Sequence, residues 1–182
     1  SAATPSFLAV LALSFHYAWV LQYGSTLKTF ATSIITDCFE TFPFPPSISL
    51  LESIGEHYHS KRTEIMLERH IGLTKLYSLF HDANCQANDI QGLRGIHRDL
   101  DREVVKAYGW TNVELEYGFN KTKQGSRYTL SEAVRREILD RLLDLNHIRH
   151  SEEVSAQVAN GAEAKIAAKR GLEKLTPVTN PN

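Results

Sequence analysis

Three groups of residues in this chain have the types and spacing to do chemistry: its eight histidines, a basic cluster between Lys121 and Arg136, and the alternating acids and bases of 98–103. The nearest histidine pairs are His57 with His59 and His147 with His150. On a helix, a separation of two sets side chains on opposed faces, so the first pair cannot chelate. A separation of three could, but no third ligand follows from the spacing, and no metal site is assigned. Asp99, Asp101 and Glu103 alternate with Arg98 and Arg102. At helical spacing these read as exposed ion pairs worth a few tenths of a kcal/mol each, not as an acid–base pair in a pocket. The chain has no glycine-rich phosphate loop, no G-x-S-x-G turn and no H-E-x-x-H helix, so no catalytic residue is assigned.

The basic cluster has another use. Lys121, Lys123 and Arg127 fall in a polar loop over 120–127, and Arg135 and Arg136 follow at the start of a helix, where the macrodipole also favours anions. Together they could meet a phosphate backbone, the alternative being ordinary solvated surface charge. Ser25, Thr26 and Lys28 form a second candidate patch. Any such contact must be local, because the net charge is −1 and the pI about 6.7, which gives no bulk field toward nucleic acid or an anionic membrane.

The positioning elements are mostly helical. Ile90, Leu93, Ile96, Leu100, Val104 and Tyr108 recur at steps of three and four, with Arg94, Arg98, Asp99, Asp101, Arg102 and Lys106 on the other face. Asn88 or Asp89 suits its start, and Gly109 suits a left-handed stop. The run before it, Leu73 to Phe80, is also amphipathic, so the two predict a helical hairpin that needs partners. From Ser47, the apolar positions Ile48, Leu51, Ile54, Tyr58 and Ile65 predict helix, with Gly55 and Gly72 leaving a kink and two consecutive helices both open. Val113 to Phe119 alternates and predicts a short strand or extended arm, and Ser131 opens a further helix as its capping residue.

Phe7 to Tyr23 is strongly apolar, but it is shorter than the ~20 residues of a membrane span and is broken by Ser14, His16 and Gln22, so it predicts a buried helix. CFETFPFPP over Cys38–Pro46 reads as extended edge-type chain, because proline cannot donate to a ladder. Cys38 and Cys85 stand in no paired spacing, which suits thiols in the cytoplasm. The expected fold is mainly α: a helical bundle built on a long antiparallel hairpin, with one or two short β segments. Residues 1–46 hold the apolar helix and the Phe/Pro segment, 47–158 form a helical domain, and 159–182 a flexible tail.

Four strings carry a resemblance: DCFETFPFP (37–45), GLTKLYSLFHD (72–82), LRGIHRDLDREVVKAYGW (93–110) and RYTLSEAVRREILDRLLDLNHIRHSEE (127–153). Over 7–153, the chain resembles the C-terminal region of large bacterial DNA methyltransferases of the type IIG restriction-modification group and their phage-defence relatives. The resemblance implies a longer parent polypeptide that uses S-adenosylmethionine to methylate adenine N6, whether or not it also cleaves DNA. The family's Asn-Pro-Pro-Tyr-type tetrapeptide and its glycine-rich methionine-donor motif are absent here, and Phe44, Pro45, Pro46 and Ser47 do not replace the former. The implied role is therefore non-catalytic, with no cofactor in this portion. Residues 1–46 would end the target-recognition region, and the helices would help place double-stranded DNA. The alternative role is a helical module that docks on the methyltransferase domain of the same chain, or on a partner subunit, without touching DNA. A homodimer covering Phe7–Val20 is a further expectation.

Overall fold

The structure, a computed structural model, describes residues 14–23, 39, 41–122 and 125–173. Among these it is mainly helical: α1 (Ser14–Tyr23), a 3-10 turn (Ile48–Leu51) leading into α2 (Glu52–Glu68), α3 (Leu73–Phe80), α4 (Asn88–Ala107) and α5 (Glu132–Glu173). Two antiparallel strands, β1 (Tyr117–Thr122) and β2 (Gly125–Leu130), lie between α4 and α5. The mainly α class with short β segments is thus the fold observed. The chain divides within α5, at Leu142 and Leu143, into two compact units.

The break between Glu68 and Leu73 separates two helices rather than kinking one. At the end of α2, Ile71 N–H reaches Met66 O (3.0 Å) and His70 N–H reaches Leu67 O (3.3 Å), with His70 in the left-handed region at φ 52°. These bonds satisfy carbonyls that a helix end leaves orphaned, in the pattern normally built on glycine. At the end of α4 the same pattern recurs with the expected residue. Gly109 has φ 76°, its N–H meets Lys106 O (2.8 Å), and Trp110 N–H meets Val105 O (3.0 Å). Neither Asn88 nor Asp89 caps the start of α4, where Ala87 is the cap residue without a side-chain bond. Asp89 is instead gripped by Arg69 in a two-pronged ion pair (2.6 and 2.7 Å) that ties the end of α2 to the start of α4.

The core is built from Leu51, Tyr58 and Ile65 on the α2 side, Leu76 and Phe80 of α3, and Ile90, Leu93, Leu100 and Val104 of α4. Leu130 of β2 and Val134, Ile138 and Leu142 of α5 are buried as well. Each such side chain contributes roughly 1.5–3 kcal/mol by leaving water. The buried stripe of α4 is rotated from the one its apolar residues predict. Ile96 and Tyr108 are only half-buried, whereas Arg94, His97 and Asp101 are buried, so the assignment of Arg94 and Asp101 to a wet face is corrected.

Arg94 is buried because it has a full set of acceptors. Its Nε donates to Phe80 O (2.8 Å), Nη1 to Cys85 O (3.0 Å), and Nη2 to Leu79 O (3.1 Å) and Asp82 O (2.8 Å). The guanidinium thereby satisfies the last carbonyls of α3 and pins the connection to α4, while its positive charge suits a helix C-terminus. On the other side it lies 5.0 Å from the Phe119 ring centroid and 5.3 Å from that of Tyr128, so the β hairpin rests on it.

The strands form only partly where expected, since β1 begins at Tyr117 inside the alternating 113–119 stretch. Among its described residues the Phe/Pro segment is packed without a ladder: Phe42 is buried between Phe44 (5.0 Å), His16 (5.2 Å) and Trp19 (6.1 Å), and Tyr108 donates its hydroxyl to Pro43 O (2.9 Å). Three prolines, Pro43, Pro45 and Pro46, leave this stretch few N–H donors for pairing, and aromatic packing takes the place of a strand. The β structure continues from the predicted 117–119 into the stretch predicted as a polar loop over 120–127, with Tyr117 opposite Leu130, Phe119 opposite Tyr128 and Lys121 opposite Ser126. Residues 113–116, the start of the stretch predicted as strand or extended arm, lead into β1 without joining it. Asn120 supports the ladder by donating to Thr129 O (2.8 Å), and Gly125, the first residue of β2, takes a positive φ of 97° that glycine adopts without strain.

Candidate functional site

Phe15, Ala18 and Trp19 anchor α1 in the core, and this brings Ser14 to the buried face of α4. There, Ser14 Oγ lies 3.2 Å from His97 Nε2, and the same nitrogen lies 3.8 Å from Asp101 Oδ2. Tyr117 of β1 donates its hydroxyl hydrogen to Asp101 Oδ2. Tyr58 and Phe80 pack against the imidazole with centroids 5.6 and 5.4 Å away. A serine, a histidine and an aspartate are therefore adjacent, but not as a nucleophilic relay. In a relay the acid orients one ring nitrogen and the hydroxyl uses the other. Here both stand at Nε2, and Nδ1 has no hydrogen-bond partner among the described residues.

Burial governs the charges of this cluster. It lowers the pKa of His97, against the pull of Asp101, and raises that of Asp101, against His97 and the bonds from Tyr117 and Ser14. Tyr117 is raised by burial and then by the neighbouring carboxylate. Burial thus favours the neutral forms, so the cluster reads as a structural knot joining α1, α4 and β1.

A cavity of about 360 Å³ opens beside the knot, with Ser14 and His97 in its wall. Tyr17, Tyr77, Phe80 and Tyr128 supply aromatic surface, and His81, Arg127 and Arg135 supply nitrogen. Tyr77 is fixed by a hydroxyl–hydroxyl bond to Tyr58 (2.9 Å) and stacks with His81 at 6.2 Å. His81 is pushed down to about 4, first by burial and then by the positive charge of Arg127.

The residues expected to face DNA are spread over this region. Lys121 is exposed near the end of β1. Arg127, on β2, and Arg135, in the first turn of α5, are both half-buried and line the same cavity. Arg136 is exposed and pairs with Glu132 at 3.3 Å; with Arg135 and Thr122 it borders a second groove against α1. Lys123, Ser25, Thr26 and Lys28 lie outside the described residues. Sequence reading missed His97, Asp101 and Tyr117 as a cluster. One signal was present: His97 stands four residues after Leu93 and three before Leu100, inside the buried stripe. Among the described residues, no group of three or more metal-ligating side chains occurs, and no helix is long and apolar enough to cross a membrane.

Compared with family models, curated proteins and solved structures, the chain finds no match in any of the three.

Proposed function

We propose that this chain is a non-catalytic C-terminal portion of a cytoplasmic DNA methyltransferase of the type IIG restriction-modification kind, and that it helps position double-stranded DNA for the parent enzyme. S-adenosylmethionine would be bound by the parent's methyltransferase domain. The observation that supports this reading is the nearness of the exposed Lys121 at the end of β1 to the arginines in the first turn of α5. The two elements adjoin, since Thr122 borders the same groove as Arg135 and Arg136. Lys121 and Arg136 offer exposed charge that can contact phosphates without reading bases, which is how a positioning surface works. The Arg136–Glu132 pair is no obstacle, because an exposed pair of this type is worth only a few tenths of a kcal/mol.

The test is duplex binding by the full chain, followed by anisotropy over a range of salt. Replacing Lys121, Lys123, Arg127, Arg135 and Arg136 by alanine should weaken binding and reduce its salt slope by about 0.9 for each phosphate no longer neutralised. Equal affinity and slope in wild type and variant would remove the reading.

A second reading, docking on a protein, is favoured by the second unit taken alone. Ile148, Val154 and Val158 of α5 are all exposed, and at 100° per residue they fall within roughly 120° of one helix face. Such a stripe suits the apolar surface of a methyltransferase core or partner subunit. Ile148→Asp with Val158→Asp should abolish co-purification with the parent's methyltransferase domain while leaving duplex binding intact.

A further inference from the structure

The cavity beside the Ser14–His97–Asp101 knot has a chemistry of its own beyond the exposed charge of Lys121 and Arg136. About 360 Å³ lies in the range of small-molecule clefts, roughly 300–1,000 Å³, at the end that holds a single ring system with one substituent. Its walls divide by character. Tyr17, Tyr77, Phe80 and Tyr128 offer ring faces and edges, with Phe80 and Tyr128 set edge to face at 5.6 Å. Arg127 and Arg135 bring two guanidinium groups, and among the described residues no carboxylate lines the space.

Two buried arginine donors in the wall lack an acceptor among the described residues. Arg127 Nε and Arg135 Nε are buried and have no hydrogen-bond partner among the described residues, and neither guanidinium stands in a salt bridge there. Nδ1 of His81 and Nδ1 of His97 are also buried without a partner there, but a neutral imidazole has one donor and one acceptor nitrogen, so only the two arginines present donors by necessity. A buried donor left unpaired costs about 1–3 kcal/mol, and more when it carries charge, so the lining favours an acceptor that arrives with negative charge. Arg94 shows the contrast within the same chain: buried as well, it finds four backbone carbonyls.

We infer that this cavity binds a small aromatic anion, a planar ring seated among Tyr77, Phe80 and Tyr128 whose phosphate or carboxylate is held by Arg127 and Arg135. The guanidinium fork accepts either head group in two-pronged fashion, so the shared chemistry is a ring bearing one planar or tetrahedral oxyanion. The assignment shares Arg127 and Arg135 with the DNA reading but requires neither Lys121 nor Arg136, so Lys121→Ala separates the two.

Isothermal titration of the full chain separates the sources, with adenosine monophosphate, benzoate, adenosine and inorganic phosphate as probes. Saturable one-site binding of adenosine monophosphate or of benzoate is expected, at least tenfold tighter than that of adenosine or inorganic phosphate. Preference for the nucleotide assigns the phosphate source, and preference for benzoate the carboxylate source. Arg127→Gln and Arg135→Gln should each weaken the preferred probe at least tenfold, while Lys121→Ala leaves it unchanged and lowers duplex affinity alone. The inference is overturned if neither ring-bearing anion saturates, or if adenosine or phosphate binds as tightly. It is overturned equally if the folded arginine variants bind like wild type. The ranking of the four probes on unaltered protein decides the matter even if a variant fails to fold.

Discussion

Arg94 Nε donates to the carbonyl of Phe80 at 2.8 Å, and through that bond a residue of α4 closes the last turn of α3. The rest of the guanidinium serves the carbonyls of Leu79, Asp82 and Cys85, so one side chain stabilises the whole connection between the two helices. Arg94→Met should cost at least about 3 kcal/mol in urea unfolding, because it strands acceptors in a dry interior. Arg94→Lys should cost less, since an ammonium keeps the charge but has only three donors and no fork. Equal midpoints for wild type and Arg94→Met would show that the connection does not depend on this cage.

Tyr117 and Asp101 form a second joint, between β1 and α4. Tyr117→Phe should lower stability by about 1–3 kcal/mol, as it leaves a buried carboxyl oxygen short of a donor. Coupling is the sharper measurement. Asp101→Asn should cost less in the Tyr117→Phe background than in wild type, and strict additivity of the two changes would contradict the joint.

The two left-handed helix stops predict opposite signs. His70 holds φ 52° at an exposed position where glycine would be unstrained, so His70→Gly should raise stability by up to about 1 kcal/mol. Gly109, at φ 76°, has open space around it, so Gly109→Ala meets no clash and loses only the backbone preference, about 1 kcal/mol of destabilisation. Thermal melts of both variants test the pair, and a shift of the same sign in each would refute it.

Acid should weaken the fold before its carboxylates titrate. His81 is held at about 4 in the folded chain against 6.5 ordinarily, by burial and then by Arg127. Between those values the unfolded chain binds more protons, so stability is full above pH 6.5, declines as pH falls through this window, and levels below about 4. Because the ring is partly solvated, the loss is on the order of 1 kcal/mol. His97, lowered by burial, acts in the same direction. Asp101 opposes: its raised pKa gives stability at low pH that is lost as pH rises through its folded value. Urea melts at pH 7.5 and 4.5 should show the decline, and His81→Gln should flatten it. An unaltered slope in that variant would exclude His81 as its source.

What the amino-acid sequence determines here is local. The three-and-four spacing of Ile90, Leu93, Leu100 and Val104 specifies α4, Gly109 specifies its end, and Ser131 marks the start of α5, where its Oγ accepts from Val134 N–H at 3.4 Å. These features depend on neighbours within a turn or two, so periodicity reveals them. Tertiary structure decides whatever depends on a partner far along the chain. Arg94 reads as surface until the carbonyls of 79–85 surround it, and Asp101 until Tyr117 and Ser14 reach it. A charged side chain can be buried only where acceptors or donors converge on it, and no spacing rule records that convergence. The same holds for the basic cluster. Its charge is legible in sequence, but only the approach of β2 to α5 places Arg127 and Arg135 in one cavity wall and leaves Lys121 to solvent.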